Sequence, residues 1–265
     1  MLRQRIITAL WLAPLTLIGL FVLEGGAFAL FTGLVVVLGA WEWANLAGIE
    51  APRLRLGYAL GLAALMLSMW LSGAALSIWP LWLAVLVWLC NLYWVVHYPD
   101  RQTQWGASVR RLALGVAVLL PCWVGFQWLR GSGAEWLLFV LLLVWSADSG
   151  AYFAGRAYGK RKLAPRVSPG KSMEGVVGGL VAVTLLALIF GVWQNLGVGQ
   201  GLALVVITWI VTLASVLGDL FESMLKRFRG IKDSSALLPG HGGVLDRIDS
   251  LTAAIPLFAL LTLWM

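Results

Sequence analysis

The chain has 265 residues, 61% of them hydrophobic and only 12% charged, with a formal net charge of +7. A soluble protein is roughly 45–50% apolar and about 25% charged. With a mean hydropathy of +0.89, neither a soluble domain nor a disordered chain accounts for this composition, because no fold of this length can hide so much apolar surface.

The remaining class is an all-α, polytopic membrane protein. A bilayer core of roughly 30 Å needs about 20 helical residues. In chain order, nine spans are predicted, near Ile6–Leu23, Ala27–Leu46, Leu56–Leu76, Leu81–Val96, Leu112–Trp128, Glu135–Tyr152, Val176–Gln194, Leu202–Leu225 and Ile248–Trp264. The apolar runs are continuous rather than alternating, which excludes a β-barrel. Residues 1–130 form an N-terminal helical segment, and residues 131–265 form a second one that carries the charge clusters described below. With the N-terminus in the cytoplasm, eighteen of the nineteen basic residues fall on the cytoplasmic side, starting with Arg3 and Arg5, and only Arg130 falls outside. This matches the positive-inside bias and places the C-terminus in the periplasm. The run after Arg5 lacks a small-residue cleavage site, so it is expected to remain as a span. Trp79, Trp82, Trp105 and Trp264 suit interfacial belts. Cys90 and Cys122 show no metal or disulfide spacing and read as small buried hydrophobes.

Two windows, 148–174 and 219–249, hold eighteen of the charged residues. Cytoplasmic loops are charged anyway, but Asp148, Asp219 and Glu222 fall inside or at the ends of apolar spans, where an ionised carboxylate is costly. Asp219, Glu222, Ser223 and Lys226 are spaced i, i+3, i+4 and i+7, which makes one polar stripe on a helix. An intrahelical Glu222–Lys226 pair adds only about 0.2–0.5 kcal/mol, too little to offset Asp219. A cation or a polar cavity is therefore expected there.

Downstream, Leu238-Pro239-Gly240-His241-Gly242-Gly243 is a loop whose glycines let bare N–H groups approach phosphate oxygens. Asp246 and Asp249, three apart at the start of the next helix and flanking Arg247, offer hard oxygen ligands of the kind Mg²⁺ takes with a polyphosphate. Helix capping is the competing account, and it explains one aspartate better than two. His241 reads as a phosphate contact. In the earlier window Asp148 and Tyr152 share a helix face, and Lys171 and Ser172 precede a helix N-terminus that favours anions. Gly170-Lys171-Ser172 is not a P-loop, because the first glycine that motif needs is absent upstream of it.

Ser223-Met224-Leu225-Lys226-Arg227, then Lys232-Asp233-Ser234-Ser235, then Leu238 through Asp249, closely resemble the signature of the phosphatidate cytidylyltransferase family, also called CDP-diacylglycerol synthases. Asp148 to Phe153 and Ser168 to Gly175 are similar to two further blocks of that family. The resemblance implies a polytopic inner-membrane enzyme with a cytoplasm-facing site that joins CTP to phosphatidate and releases pyrophosphate. It implies Mg²⁺, with a second cation allowed, at Asp219, Asp246, Asp249 and Glu222. It also implies catalytic roles for Asp219, Asp246, Lys226 and Asp148, and substrate contacts from Lys171, Ser168, Ser223, Arg227, Lys232, His241 and Arg247. The expected partners are CTP, phosphatidate and membrane lipids, with no nucleic acid; a homodimer is compatible. The alternatives are a cation transporter through Asp148 and Asp219, and a CTP-dependent lipid kinase. A CDP-alcohol phosphotransferase would need an Asp-Gly-x-x-Ala-Arg pattern that the chain lacks.

Overall fold

A computed structural model describes residues 2–265, with side chains for Thr8 and residues 10–265. The helices are α1 (Leu2–Phe21), α2 (Gly25–Leu46), α3 (Pro52–Leu71), α4 (Trp79–Val96), α5 (Gln102–Trp105), α6 (Ser108–Ser132), α7 (Ala134–Tyr158), α8 (Met173–Trp193), α9 (Val198–Arg229) and α10 (Leu245–Leu261). Among the described residues, eight of these are long and apolar enough to cross a membrane: α2, α3, α4, α6, α7, α8, α9, and α10 with its following turn. The described part of α1, Leu10–Phe21, is shorter than a span, although the helix itself has 20 residues. The side chains of Arg3, Arg5 and Ile6 lie outside the described residues.

The central helix is α10, which packs against α9, α6, α4, α7 and α2. α10 and α8 differ in both burial and composition. The α10 span has a mean hydropathy of 1.3 and is 61% buried inside the protein, whereas the α8 span reaches 2.5 and is 33% buried. A helix that faces lipid has to be apolar all round, while a central one can hold Ser250 and Thr252 against its neighbours. α7 and α8 make the closest pair, because glycines remove the side chains between them. A Cβ on Gly150 would come within 2.6 Å of the Gly178 carbonyl, and one on Gly175 within 2.9 Å of the Ala151 carbonyl.

Three local features depart from the sequence reading. The segment between α7 and α8 forms an antiparallel hairpin, β1 (Lys162–Ala164) and β2 (Ser168–Ser172), rather than a plain loop. Its first turn is held by Glu174, which accepts from the Lys160 and Arg161 N–H groups and the Arg161 guanidinium. Trp105 is not an interfacial belt residue: it is fully buried between Tyr98 and Phe228. Cys90 is exposed, and only Cys122 is buried.

Contacts between distant segments gather the charged connectors at one end of the bundle. Arg229 pairs with Glu50 at 2.7 Å, Asn45 donates to the Ser234 carbonyl, and Arg166 reaches Asp100 at 3.8 Å. The Arg130–Glu24 pair at 3.0 Å belongs to the turns at the other end.

Candidate active site

The charged end of the bundle carries a cavity of about 350 Å³ between α7, β2, α8 and α9. Asp148 and Tyr152 reach it from α7, Lys171 from the hairpin, and Asp219 from α9. The hairpin explains how Lys171 gets there. Ser172 ends β2 as the N-cap of α8, its hydroxyl accepting from the Gly175 N–H at 3.1 Å, and this fixes the strand against the helix entry. Lys171 Nζ then lies 2.8 Å from Asp219 Oδ2. The other oxygen of Asp219, Oδ1, accepts from Ser223 Oγ at 3.1 Å, one helical turn further on.

The predicted stripe on α9 is present and continues into a second cluster. Glu222 is 2% exposed, and among the described residues neither of its oxygens makes an aligned hydrogen bond; the Lys226 ammonium lies beside it at 3.2 Å. Lys226 also contacts Asp246 Oδ1 at 2.7 Å. The intrahelical pair weighed from the sequence therefore exists, but it is one arm of a larger network. Asp249 lies within Coulombic range of Asp219, Lys171 and Lys226, so it bridges the two clusters electrostatically. α9 and α10 approach closely enough for this because Gly218 faces α10: a Cβ there would meet the Asp249 carbonyl at 2.6 Å.

The loop between α9 and α10 is shaped by the same acids. Gly240 and Gly242 take positive φ angles of 77° and 82°, and Leu238 and Gly242 form an isolated bridge. Asp246 Oδ2 accepts from the Ser234 N–H at 3.0 Å, the Ser234 hydroxyl at 2.9 Å and the Gly243 N–H at 2.8 Å. Asp246 thus braces the loop from inside α10, but it does not cap the helix, because its donors lie upstream of Leu245. Among the described residues Asp249 makes no such loop contact; its Oδ1 accepts the adjacent Ser250 N–H.

The other expected contacts are spread more widely. Arg227 donates to the Val167 carbonyl at 3.3 Å and holds the hairpin turn to α9. Ser168 begins β2, opposite Ala164, and does not line the cavity. Lys232 and Arg247 are exposed, and Arg247 lies within Coulombic range of Asp148. His241 sits at the loop tip, half-buried, with Nδ1 unpartnered.

Sequence reasoning missed Glu42. It is fully buried on α2 and accepts from four donors: the hydroxyls of Ser234 and Ser235, and the N–H groups of Val244 and Leu245. It thereby ties the loop and the start of α10 to the N-terminal half of the chain. A signal was present, because Glu42 is the only charged residue in the apolar segment that forms α2.

Comparison with known proteins agrees with this arrangement. The profile described as "Cytidylyltransferase family" matches residues 3–265. A Pseudomonas aeruginosa protein named phosphatidate cytidylyltransferase is 52% identical over 272 residues, covering 100% of this chain and 97% of its own. A Haemophilus influenzae protein of the same name is 43% identical, with 98% of each chain covered. A Bacillus subtilis protein of that name is 45% identical over 133 residues, covering 50% of this chain. The stripe on α9, the glycine loop and the acids of α10 all lie within the matched residues, and the chain belongs to the cytidylyltransferase family.

Proposed function

We infer that the protein condenses CTP with phosphatidate to form CDP-diacylglycerol and pyrophosphate, at the cavity that holds Lys171 and Asp219. The observation that carries this reading is the geometry of the charged end. Two lysines, Lys171 and Lys226, are each held by carboxylates within 3.2 Å at neighbouring points along α9. The family match and the names of the relatives support the reaction class.

A phosphate oxygen of phosphatidate attacks the α-phosphorus of CTP. The new P–O–P bond forms as the α–β bond breaks, and pyrophosphate leaves with the electron pair. The nucleophile is already an anion, so the main obstacle is repulsion between two polyanions. Lys171 and Lys226 neutralise it from fixed positions, with Arg247 at the rim. Asp219 and Asp246 hold the two ammonium groups in place, and Asp148 completes the polar wall. Ser223 fixes the rotamer of Asp219.

The acids fit Mg²⁺ in donor type: they are hard oxygens, no cysteine or imidazole lies among them, and among the described residues the oxygens of Glu222 make no aligned hydrogen bond. Among the described residues no three such side chains already converge as a metal cage. That suits a cation that uses one or two carboxylates and completes its shell with substrate phosphates. One or two of Asp219, Asp249, Asp246 and Glu222 would hold it, and a second cation is compatible with so many acids. When bound, Mg²⁺ would supply charge neutralisation at the transferring phosphorus and on the leaving pyrophosphate.

We place the charged end in the cytoplasm of a bacterial cell, with the protein in the inner membrane, from the asymmetry of the basic residues. Single cysteines at Lys162 and Lys232, both exposed, test this in a background lacking Cys90 and Cys122. Labelling of both by an impermeant reagent only after lysis is expected, and labelling in intact cells would reverse the orientation. The reaction itself is tested with CTP labelled at the α- or the γ-phosphorus. The α-label should enter lipid and the γ-label should leave as pyrophosphate. Transfer of the γ-label to lipid would mean a kinase. Uptake of the cation without turnover would favour a transporter.

A further inference from the structure

The cavity that holds Lys171 and Asp219 is not the same along its length. α7 borders it from Ala147 to Arg156, roughly 14 Å at 1.5 Å per residue. The inner end is lined by Ala147, Gly179 and Thr212, within the bundle. The outer end, where α7 reaches the charged connectors, is lined by Tyr152 and Arg156. Neither of these two has a part in neutralising or transferring phosphate as derived above.

Tyr152 and Arg156 follow Asp148 at i+4 and i+8, so the three share one face of α7. Arg156 Nη1 donates to the Tyr152 hydroxyl at 3.2 Å, which draws the guanidinium back to the polar tip of the ring. Among the described residues Arg156 pairs with no carboxylate. Tyr152 is 58% exposed although it lines a cavity, so much of its ring is uncovered. Phe153, the next residue, packs edge to face against that ring at 5.4 Å and is also exposed, but it does not line the cavity. On the hairpin side of the mouth Gly170 brings no side chain, and a Cβ there would meet nothing within 4 Å.

An uncovered phenol ring beside a guanidinium with no acid partner matches one part of a nucleotide. Any base stacks on an aromatic ring. The planar guanidinium presents a rigid fork of N–H donors and accepts nothing. Cytosine offers that fork two adjacent acceptors, O2 and N3. Uracil carries a proton on N3, which would meet the fork donor to donor, and such a repulsive element is what specificity needs.

We propose that Tyr152 and Arg156 form the cytosine subsite: the base stacks on the Tyr152 ring, and the remaining N–H groups of Arg156 donate to its O2 and N3, while the triphosphate runs inward to Lys171. This rests on the reading of the cavity as the site where CTP reacts with phosphatidate. The base stays at the outer end, where a soluble nucleotide enters, and the inner part is left to the phosphates and the lipid headgroup.

The test compares Tyr152→Leu, Tyr152→Phe and Arg156→Lys with the parent protein. Incorporation of α-labelled CTP into lipid gives the KM for CTP, and unlabelled UTP as a competitor gives its inhibition constant. Tyr152→Leu keeps apolar bulk but removes the ring. Its KM for CTP should rise about tenfold, equivalent to about 1.4 kcal/mol and of the size lost when one base–aromatic stack is removed. Tyr152→Phe keeps the ring and should stay within about threefold. Arg156→Lys keeps the charge and loses the fork. The ratio of the UTP inhibition constant to the CTP KM should therefore fall about tenfold, as expected for one bidentate base contact. The KM for phosphatidate should stay within about twofold in all three. An unchanged CTP KM in Tyr152→Leu, or a rise in the phosphatidate KM in its place, overturns the proposal and leaves Tyr152 an interfacial residue. Equal weakening of CTP and UTP in Arg156→Lys also overturns it, and moves Arg156 to the phosphates. If Tyr152→Leu does not fold, Arg156→Lys decides alone. A parent protein that binds UTP as well as CTP overturns only the subsite, whereas one that takes no label from CTP overturns the reading of the cavity itself.

Discussion

Replacing Glu42 with alanine removes the acceptor for a whole connection at once. The Val244 and Leu245 N–H groups lie 3.0 and 2.6 Å from its oxygens, and the Ser235 hydroxyl lies 2.5 Å away. Ser234 Oγ is farther, at 3.3 Å, and has a shorter bond to Asp246 at 2.9 Å. A hydroxyl has one proton to donate, so three bonds to Glu42 are counted, not four. At about 1.5 kcal/mol each, the low end for bonds to a charged acceptor, the loss is on the order of 4 kcal/mol. That is a large part of the roughly 5–15 kcal/mol that holds a typical domain folded. At about 2–4 °C per kcal/mol, the melting midpoint of Glu42→Ala should fall by roughly 8–16 °C. Glu42→Gln keeps one oxygen acceptor and the side-chain volume, so its midpoint should fall by about half as much. Thermal unfolding in detergent, followed by turnover at a temperature where each variant is folded, provides the assay. Turnover should fall in the same order, because the contacts that place Leu245 also place Asp246. An alanine variant that melts within about 2 °C of the parent and turns over normally would refute this role for Glu42.

Asp246→Asn keeps an oxygen for the loop donors, but it turns an amide toward the Lys226 ammonium, 2.7 Å away in the parent. Turnover at saturating CTP should drop by at least about a hundredfold, with a far smaller change in melting; if both stay near normal, Asp246 serves only to brace the loop. Gly218→Ala pushes a methyl group into the Asp249 carbonyl. Overpacking of this kind costs about 1–3 kcal/mol, so a lower melting midpoint with reduced turnover is expected, and an unchanged midpoint would mean that α9 and α10 can separate freely at this point.

The spans were legible because a bilayer imposes a length and a continuous apolar character that short stretches of sequence reveal directly. The stripe of Asp219, Glu222, Ser223 and Lys226 was legible for a similar reason, since helical periodicity places those residues on one face. The rest depends on contacts through space. Nothing near Glu42 in the sequence points to Ser234, which is 192 positions away. The resemblance implied a substrate contact for Arg227, and only the structure shows that its Nε also donates to a carbonyl on the hairpin. The hairpin itself has strands of three and five residues, too short for an alternating pattern to stand out. Trp105 was assigned to the interface by type, whereas Tyr98 and Phe228 enclose it.

The central claim is that the carboxylate of Asp219, facing the cavity and joined to Lys171, takes part in the chemistry. Asp219→Asn changes charge but little volume, and Ser223 and Lys171 remain beside it. The measurement is incorporation of α-labelled CTP into lipid by purified, folded protein at saturating substrates and Mg²⁺. The account predicts a loss of about a thousandfold or more, equivalent to roughly 4 kcal/mol of transition-state stabilisation, with the melting midpoint little changed. Incorporation within about threefold of the parent protein would contradict it and move the reaction away from this cavity.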